Sequence, residues 1–282
     1  MGKKRNNILK SLTSPEILKE ISDLSIQKAN EGATKLFILA VMAGAYIAMG
    51  AGASATVSFN LVSCTETFGL GRMISACVFP VGLMMVLLCG AELFTGNNLM
   101  VIGLLDRKIK ISSMLRNWII VYAGNFTGAV FIAVLINYSG LLESGEGLLG
   151  AMTIKTAVLK TDLDFGRAVV LGIMCNWVVC LAVWMATGAQ TSAGKILSIL
   201  FCIGMFVISG FEHSVANMYF IPSGIIASSN DAFVQLAGTD ISGLNAGSFL
   251  FKNLLPVTLG NIIGGTVFVG MAYWTVNRNK AR

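Results

Sequence analysis

Two short stretches place ionisable side chains where such groups are rare. Residues 90–98 read GAELFTGNN and residues 210–218 read GFEHSVANM, each inside a long apolar run. Gly90, Glu92 and Asn97 stand at the same relative spacing as Gly210, Glu212 and Asn217. A carboxylate removed from water must be paired and hydrogen-bonded, or it gives up its charge. The second copy adds His213, the sole histidine of the chain, where the first has Leu93. An imidazole titrates near neutrality, so modest surroundings decide whether it donates, accepts or passes a proton. A single imidazole inserted into one copy of a repeated motif points to a task for one proton-active group. The alternative is a neutral ring satisfied by a neighbouring carbonyl or hydroxyl. For Glu92 and Glu212 the preferred role is structural, holding backbone groups that a helix break sets free, with substrate contact as the alternative.

Composition identifies the scaffold that must carry these groups. Of 282 residues, 55% are hydrophobic and 12% charged, against about 25% charged in an ordinary soluble domain. No charge occurs in 36–64, 73–91, 93–105 or 169–194. A span needs about 20 apolar residues, and six segments qualify, near 36–60, 73–105, 117–139, 167–188, 196–228 and 253–275. The expected fold is all-α, a polytopic membrane protein with six transmembrane helices. Of the 20 Lys and Arg residues, 15 fall in the N-terminal region to Lys35, the 106–116 loop, the 188–195 loop and the tail beyond Val276. Positive charge stays cytoplasmic, so both termini are expected inside the cell (inner or plasma) membrane. The net charge of +6 then reflects topology and implies no nucleic-acid partner.

The organisation expected is a cytoplasmic N-terminal region 1–34, a six-span domain 35–276 and a cytoplasmic tail 277–282. In the first of these, Ser14 is the candidate N-cap and Pro15 opens an amphipathic helix with Ile17, Leu18, Ile21 and Leu24 at helical spacing. Five of the six cysteines lie in apolar runs and read as reduced, buried thiols; Cys64 stands near a membrane edge. No CxxC spacing or histidine pair suggests a metal or haem, and no cofactor is expected.

Repetition extends beyond the glutamate motif. Gly124-Asn125-Phe126-Thr127-Gly128 lies in the third span and Gly260-Asn261-Ile262-Ile263-Gly264 in the sixth. Each half therefore carries GxExxxxN and then GNxxG, at offsets of 120 and 136 residues. Three spans per half, about 35–140 and 160–276, insert with opposite orientation, an inverted repeat with the pathway expected at the interface of the halves. The glycines of GNxxG read as close-packing positions. Segments 73–105 and 196–228 run to about 33 residues, roughly 50 Å as continuous helix against a hydrocarbon core of about 30 Å. Both helices are expected to break in the middle, at the motifs.

The stretches GAELFTGNN, GFEHSVANMYFIP, CNWVVCLAVW and NLLPVTLGNIIGG resemble the formate/nitrite transporter family over about 29–274. The resemblance implies an aquaporin-like protomer with helices two and five broken, and a homopentamer in which each protomer has its own pore. It assigns the central pore histidine to His213, with Glu212 and Asn217 flanking it. The family's lysine falls on Lys160, with Phe165, Ala168 and Gly172 at the pattern's spacing, and its asparagine on Asn176. By residue type alone Lys160 reads first as a solvated lysine in the loop KTDLD; the resemblance reverses that. Phe79 and Phe206 resemble the outer constriction, Leu83 and Leu93 the inner, and Leu93, Phe94 and Thr95 the loop at the first break. The implied function is passage of a small monovalent anion of a weak acid, formate first, as the acid or a hydrogen-bonded equivalent, coupled to protons.

Rival readings remain. Nitrite, hydrosulfide and lactate-type monocarboxylates are chemically similar cargo. A neutral-solute channel of aquaporin type is expected to carry two Asn-Pro-Ala turns, and this sequence contains none. A membrane subunit serving an oxidoreductase would need cofactor ligands. No hydrolase or kinase motif occurs, so an enzyme is not expected. The partners expected are the anion, protons and membrane lipid.

Overall fold

The computed structural model describes residues 11–278. The KKRNN stretch and the tail beyond Arg278 lie outside the described residues. Helix α1 spans Ser14–Asn30. Its N-cap is Thr13, one position ahead of the expected Ser14, because the Thr13 backbone N–H reaches the Glu16 carboxylate at 2.7 Å. Pro15 sits in the first turn, where a missing N–H is harmless. Ile17, Leu18 and Ile21 are buried together with Ser22 and Ser25, so α1 is packed into the protein.

Six helices are long and apolar enough to cross a membrane: Ala33–Val62, Thr65–Leu88, Ile111–Tyr138, Phe165–Gly188, Ser192–Ser209 and Ser248–Asn277. The chain is an all-α polytopic membrane protein. The first, third, fourth and fifth are α2 (Ala33–Val62), α7 (Ile111–Tyr138), α9 (Phe165–Gly188) and α10 (Ser192–Ser209). The second is a pair, α3 (Phe68–Val78) and α4 (Val81–Leu88), which meet at Phe79 and Pro80. The short α5 (Phe94–Asn97) and α6 (Val101–Leu105) complete the segment expected at 73–105, and α11 (Ser214–Ala227) completes that expected at 196–228. Outside the bilayer segments lie α8 (Leu148–Thr161) and α12 (Asp231–Ala237). The sixth span joins α13 (Leu255–Gly265) and α14 (Ala272–Asn277) to wide π-helical turns at Ser248–Leu254 and Thr266–Met271.

Both long segments break where the motifs lie. Gly90 and Gly210 adopt φ of +76° and +71°, a left-handed turn that a side chain would strain. Leu93 (φ −111°, ψ 126°) and His213 (φ −110°, ψ 116°) are then extended and cap the half-helices that follow. Around the breaks, α2 packs on α7 and α9 on α13. A Cβ at Gly124 or Gly128 would strike Ala40 or the Val41 carbonyl; one at Gly260 or Gly264 would strike the Val169 or Ile173 carbonyl. The GNxxG glycines thus bring backbones close enough for van der Waals contact to hold the pairs together, which matters where lipid offers no hydrophobic drive between helices.

Candidate functional site

Breaking a helix in an apolar medium strands amide and carbonyl groups at several kcal/mol each unless something bonds them. One carboxamide does this at each break. Asn125 Oδ1 accepts the Phe94 N–H at 2.9 Å, while its Nδ2 donates to the Ala40 and Glu92 carbonyls at 2.7 and 2.9 Å. Asn261 Oδ1 accepts the Ser214 N–H at 2.9 Å, and its Nδ2 donates to the Gly172 and Glu212 carbonyls at 2.9 and 3.0 Å. Asn125 and Asn261 are fully buried. They are the asparagines of GNxxG, a spacing that by itself points only to the glycines.

The glutamates sit in matching polar clusters. Glu92 takes the Lys28 ammonium at 2.6 and 2.7 Å and the Asn97 amide at 2.7 Å; Asn97 also donates to Asn117 at 2.8 Å, and Asn117 to the Lys28 carbonyl at 3.1 Å. Glu212 takes the Lys160 ammonium at 2.8 Å and the Asn217 amide at 2.6 Å; Asn217 also donates to Asn253 at 2.7 Å, and Asn253 to the Lys160 carbonyl at 2.8 Å. Lys28 on α1 and Lys160 on α8 therefore hold the same place in the two halves, and the repeat takes in α1 and α8. No motif links KAN at residues 28–30 with KTD at 160–162; only the fold reveals the match. Lys160 is no solvated loop lysine: its side chain is 16% exposed and its ammonium also lies 5.4 Å from the Phe220 ring centroid.

A cavity of about 480 Å³ opens beside the second cluster, and Lys160, Glu212, Phe220, Arg72, Phe79, Phe206 and His213 are among the residues that line it. The Phe79 and Phe206 rings meet edge to face at 5.3 Å, and Phe206 lies 6.1 Å from the His213 ring. Leu83, Leu93 and Phe94 are packed in the core, each 3% exposed or less.

His213 links the two halves. Its Nδ1 accepts the Ala216 N–H at 3.1 Å, capping α11, and its Nε2 lies 2.9 Å from Thr95 Oγ1. A neutral ring whose Nδ1 accepts carries its proton on Nε2. The Nε2–H then donates to the Thr95 hydroxyl, which leaves the hydroxyl proton free to point elsewhere. Asn176 lies behind Thr95, wholly buried, with its Nδ2 donating to Asn98 Oδ1 at 2.8 Å and the Asn261 carbonyl at 2.7 Å and approaching the Thr95 carbonyl at 3.3 Å. Its amide is engaged with α5 and α13, which makes it a brace behind Thr95. Asn98 shares in that brace and was not singled out by sequence.

Comparison with known proteins agrees with this architecture. The model of the formate/nitrite transporter family matches residues 15–275. The formate channel FocA of Haemophilus influenzae is 39% identical over 263 residues, covering 89% of this chain and 91% of that one. A probable formate transporter of Methanothermobacter thermautotrophicus is 38% identical over 279 residues, covering 94% and 97%. Among solved structures, a pentameric formate channel with formate bound superposes with a TM-score of 0.76 at 35% identity, covering 86% of this chain and 97% of that one. An ion channel of the same family gives 0.78 at 27% identity, covering 93% and 98%. With a match that runs from α1 into the last helix, this chain belongs to the formate/nitrite transporter family.

Proposed function

We propose that the protein passes small monovalent anions of weak acids, formate first, across a cell membrane. The observation that carries this reading is the donor pair of His213, which lines the cavity beside the apolar Phe79–Phe206 contact, and Thr95, which it meets at 2.9 Å. A bare monoanion loses several kcal/mol on entering such surroundings, and a neutral acid of the same size loses far less. The Phe79–Phe206 pair, with Leu83, Leu93 and Phe94 further in, excludes charge unless the charge is hydrogen-bonded or neutralised on the way.

Lys160, paired with Glu212, gives the anion a local contact on the cavity wall. Past the phenylalanines the anion meets the Thr95 hydroxyl, oriented by His213 Nε2–H. The ring stays neutral in this step: Nδ1 is engaged by the α11 cap, so a second proton would have to displace the Ala216 N–H. The imidazole therefore acts as a hydrogen-bond donor through Thr95, and the proton that turns formate into formic acid is a hydronium proton of the entry-side solution, relayed by water. Glu212, Asn217 and Asn176 position the parts. Lys28 and Glu92 repeat the lysine–glutamate pair in the other half, and α1 belongs to the transport unit through them. Nitrite and hydrosulfide satisfy the same chemistry. A homopentamer with cytoplasmic termini, in a cell (inner or plasma) membrane, is the assembly proposed; a pentameric channel is among the structures this fold resembles.

The test is uptake of formate, nitrite and hydrosulfide into proteoliposomes across a pH series. Formate flux that rises as pH falls on the entry side supports the reading. Water or glycerol permeation with no anion flux replaces it with a neutral-solute channel.

A further inference from the structure

The cavity wall carries a second cation that the pathway above does not use. Arg72 lies on α3 and is partly buried. Its Nη1 donates to the Val207 and Ile208 carbonyls at 3.3 and 3.2 Å, the last turn of α10, and its guanidinium carbon lies 5.1 Å from the Phe68 ring centroid. A Cβ at Gly210 would lie 2.5 Å from Nη1, so the left-handed glycine of the second break is also what lets the guanidinium seat there. The matching Gly90 has nothing within 4 Å of its Cβ position. Among the described residues no cation seats against Gly90 in this way.

Charge bookkeeping separates Arg72 from the lysines. Lys160 is paired with Glu212 at 2.8 Å and Lys28 with Glu92 at 2.6 Å, so each pair is neutral seen from a distance. Arg72 has carbonyl partners but, among the described residues, no carboxylate within ion-pair distance. Helix carbonyls carry only a fractional negative charge, and the remaining guanidinium donors have no protein acceptor among the described residues. A cavity with one paired and one unpaired cation carries net positive charge, and low-dielectric walls focus that field on anything entering.

We propose that Arg72 is the residue that concentrates the anion in the cavity of the second half. Lys160 supplies a local contact, and Arg72 supplies the net charge while holding the end of α10 that carries Phe206. The inference rests on the anion-passage reading above. Among the described residues nothing occupies the matching place at Gly90, so this device belongs to the second break.

The test is formate uptake in proteoliposomes at several ionic strengths, for wild type, Arg72→Gln, Arg72→Lys and Ser75→Asp. Ser75 lies one turn from Arg72 on the same cavity wall, so an aspartate there offsets the charge without removing the guanidinium. The half-saturating formate concentration is expected to rise about 3–10-fold in Arg72→Gln and in Ser75→Asp, with little change at saturation. Both variants are expected to lose most of the salt dependence that screening imposes on the wild type. Arg72→Lys restores the half-saturating concentration. Unchanged concentration and salt dependence in Ser75→Asp overturn the inference even if Arg72→Gln fails to fold. A fall in maximal flux alone in Arg72→Gln, not rescued by lysine, also overturns it and leaves Arg72 a helix cap. Absence of formate flux in the wild type overturns the underlying reading instead.

Discussion

The two helix breaks are built from the same parts and end in different chemistry. Each has a left-handed glycine, a glutamate bonded to a lysine and an asparagine, and a carboxamide that takes up the freed backbone groups. The halves part company at a few side chains. The second break carries His213 where the first has Leu93, and the first carries Thr95 and Asn98 where the second has Val215 and Met218. Those differing residues converge: His213 of one break meets Thr95 of the other at 2.9 Å, with Asn98 and Asn176 behind Thr95. The shared residues build breaks that survive in an apolar medium. The unshared ones make polar contacts where the halves meet, His213 with Thr95 and Asn98 with Asn176.

If the common parts are structural, the largest effect comes from removing a carboxamide. Asn125→Leu and Asn261→Leu each leave an amide and two carbonyls without a partner, and each is expected to destabilise by about 3 kcal/mol or more. Thermal unfolding in detergent measures this. Similar losses in both sharpen the comparison, and tolerance of one alone breaks it.

Removing a lysine comes next. Lys160→Gln leaves Glu212 unpaired with its side chain 7% exposed, and Lys28→Gln leaves Glu92 unpaired with its side chain 14% exposed. The first is expected to cost about 2–4 kcal/mol and the second less, because more water reaches Glu92. The same unfolding assay decides it; equal losses would mean that burial does not set the difference.

The smallest effect on stability, and the most direct on function, is expected at the unshared residues. His213→Asn keeps a good N-cap for α11 but loses the reach to Thr95. Stability is expected to stay within about 1 kcal/mol, while formate flux and its pH dependence change. Thr95→Val removes the other side of the contact and is expected to lower flux in the same way at a stability cost of about 1 kcal/mol. Identical pH profiles in both variants and the wild type would make His213 a satisfied core histidine.

A good part of this was legible in the residues. Charge-free runs located the spans, and two runs too long for the bilayer, each with a glycine and a glutamate in the middle, located the breaks. Asn125 and Asn261 were visible but misread in emphasis, because spacing reports which helix faces approach and says nothing of what a carboxamide will reach. Lys28 was hidden inside an amphipathic helix whose serines and lysine look like a solvated face. Arg72 stands at a span's edge, where a basic residue needs no explanation until the end of α10 is found against it.

The sequence by itself determined that the chain crosses a membrane six times, that it repeats, and where its helices must stop. Hydropathy, length and glycine are local properties, and a bilayer of fixed thickness converts them directly into structure. Only the tertiary structure decided which polar groups satisfy the broken backbone, which lysine answers which glutamate, and that the lone histidine faces a threonine of the other half. These partners lie 31 to 118 residues apart. A hydrogen bond between them exists only after packed glycines have brought the helices within about 3 Å of donor–acceptor reach.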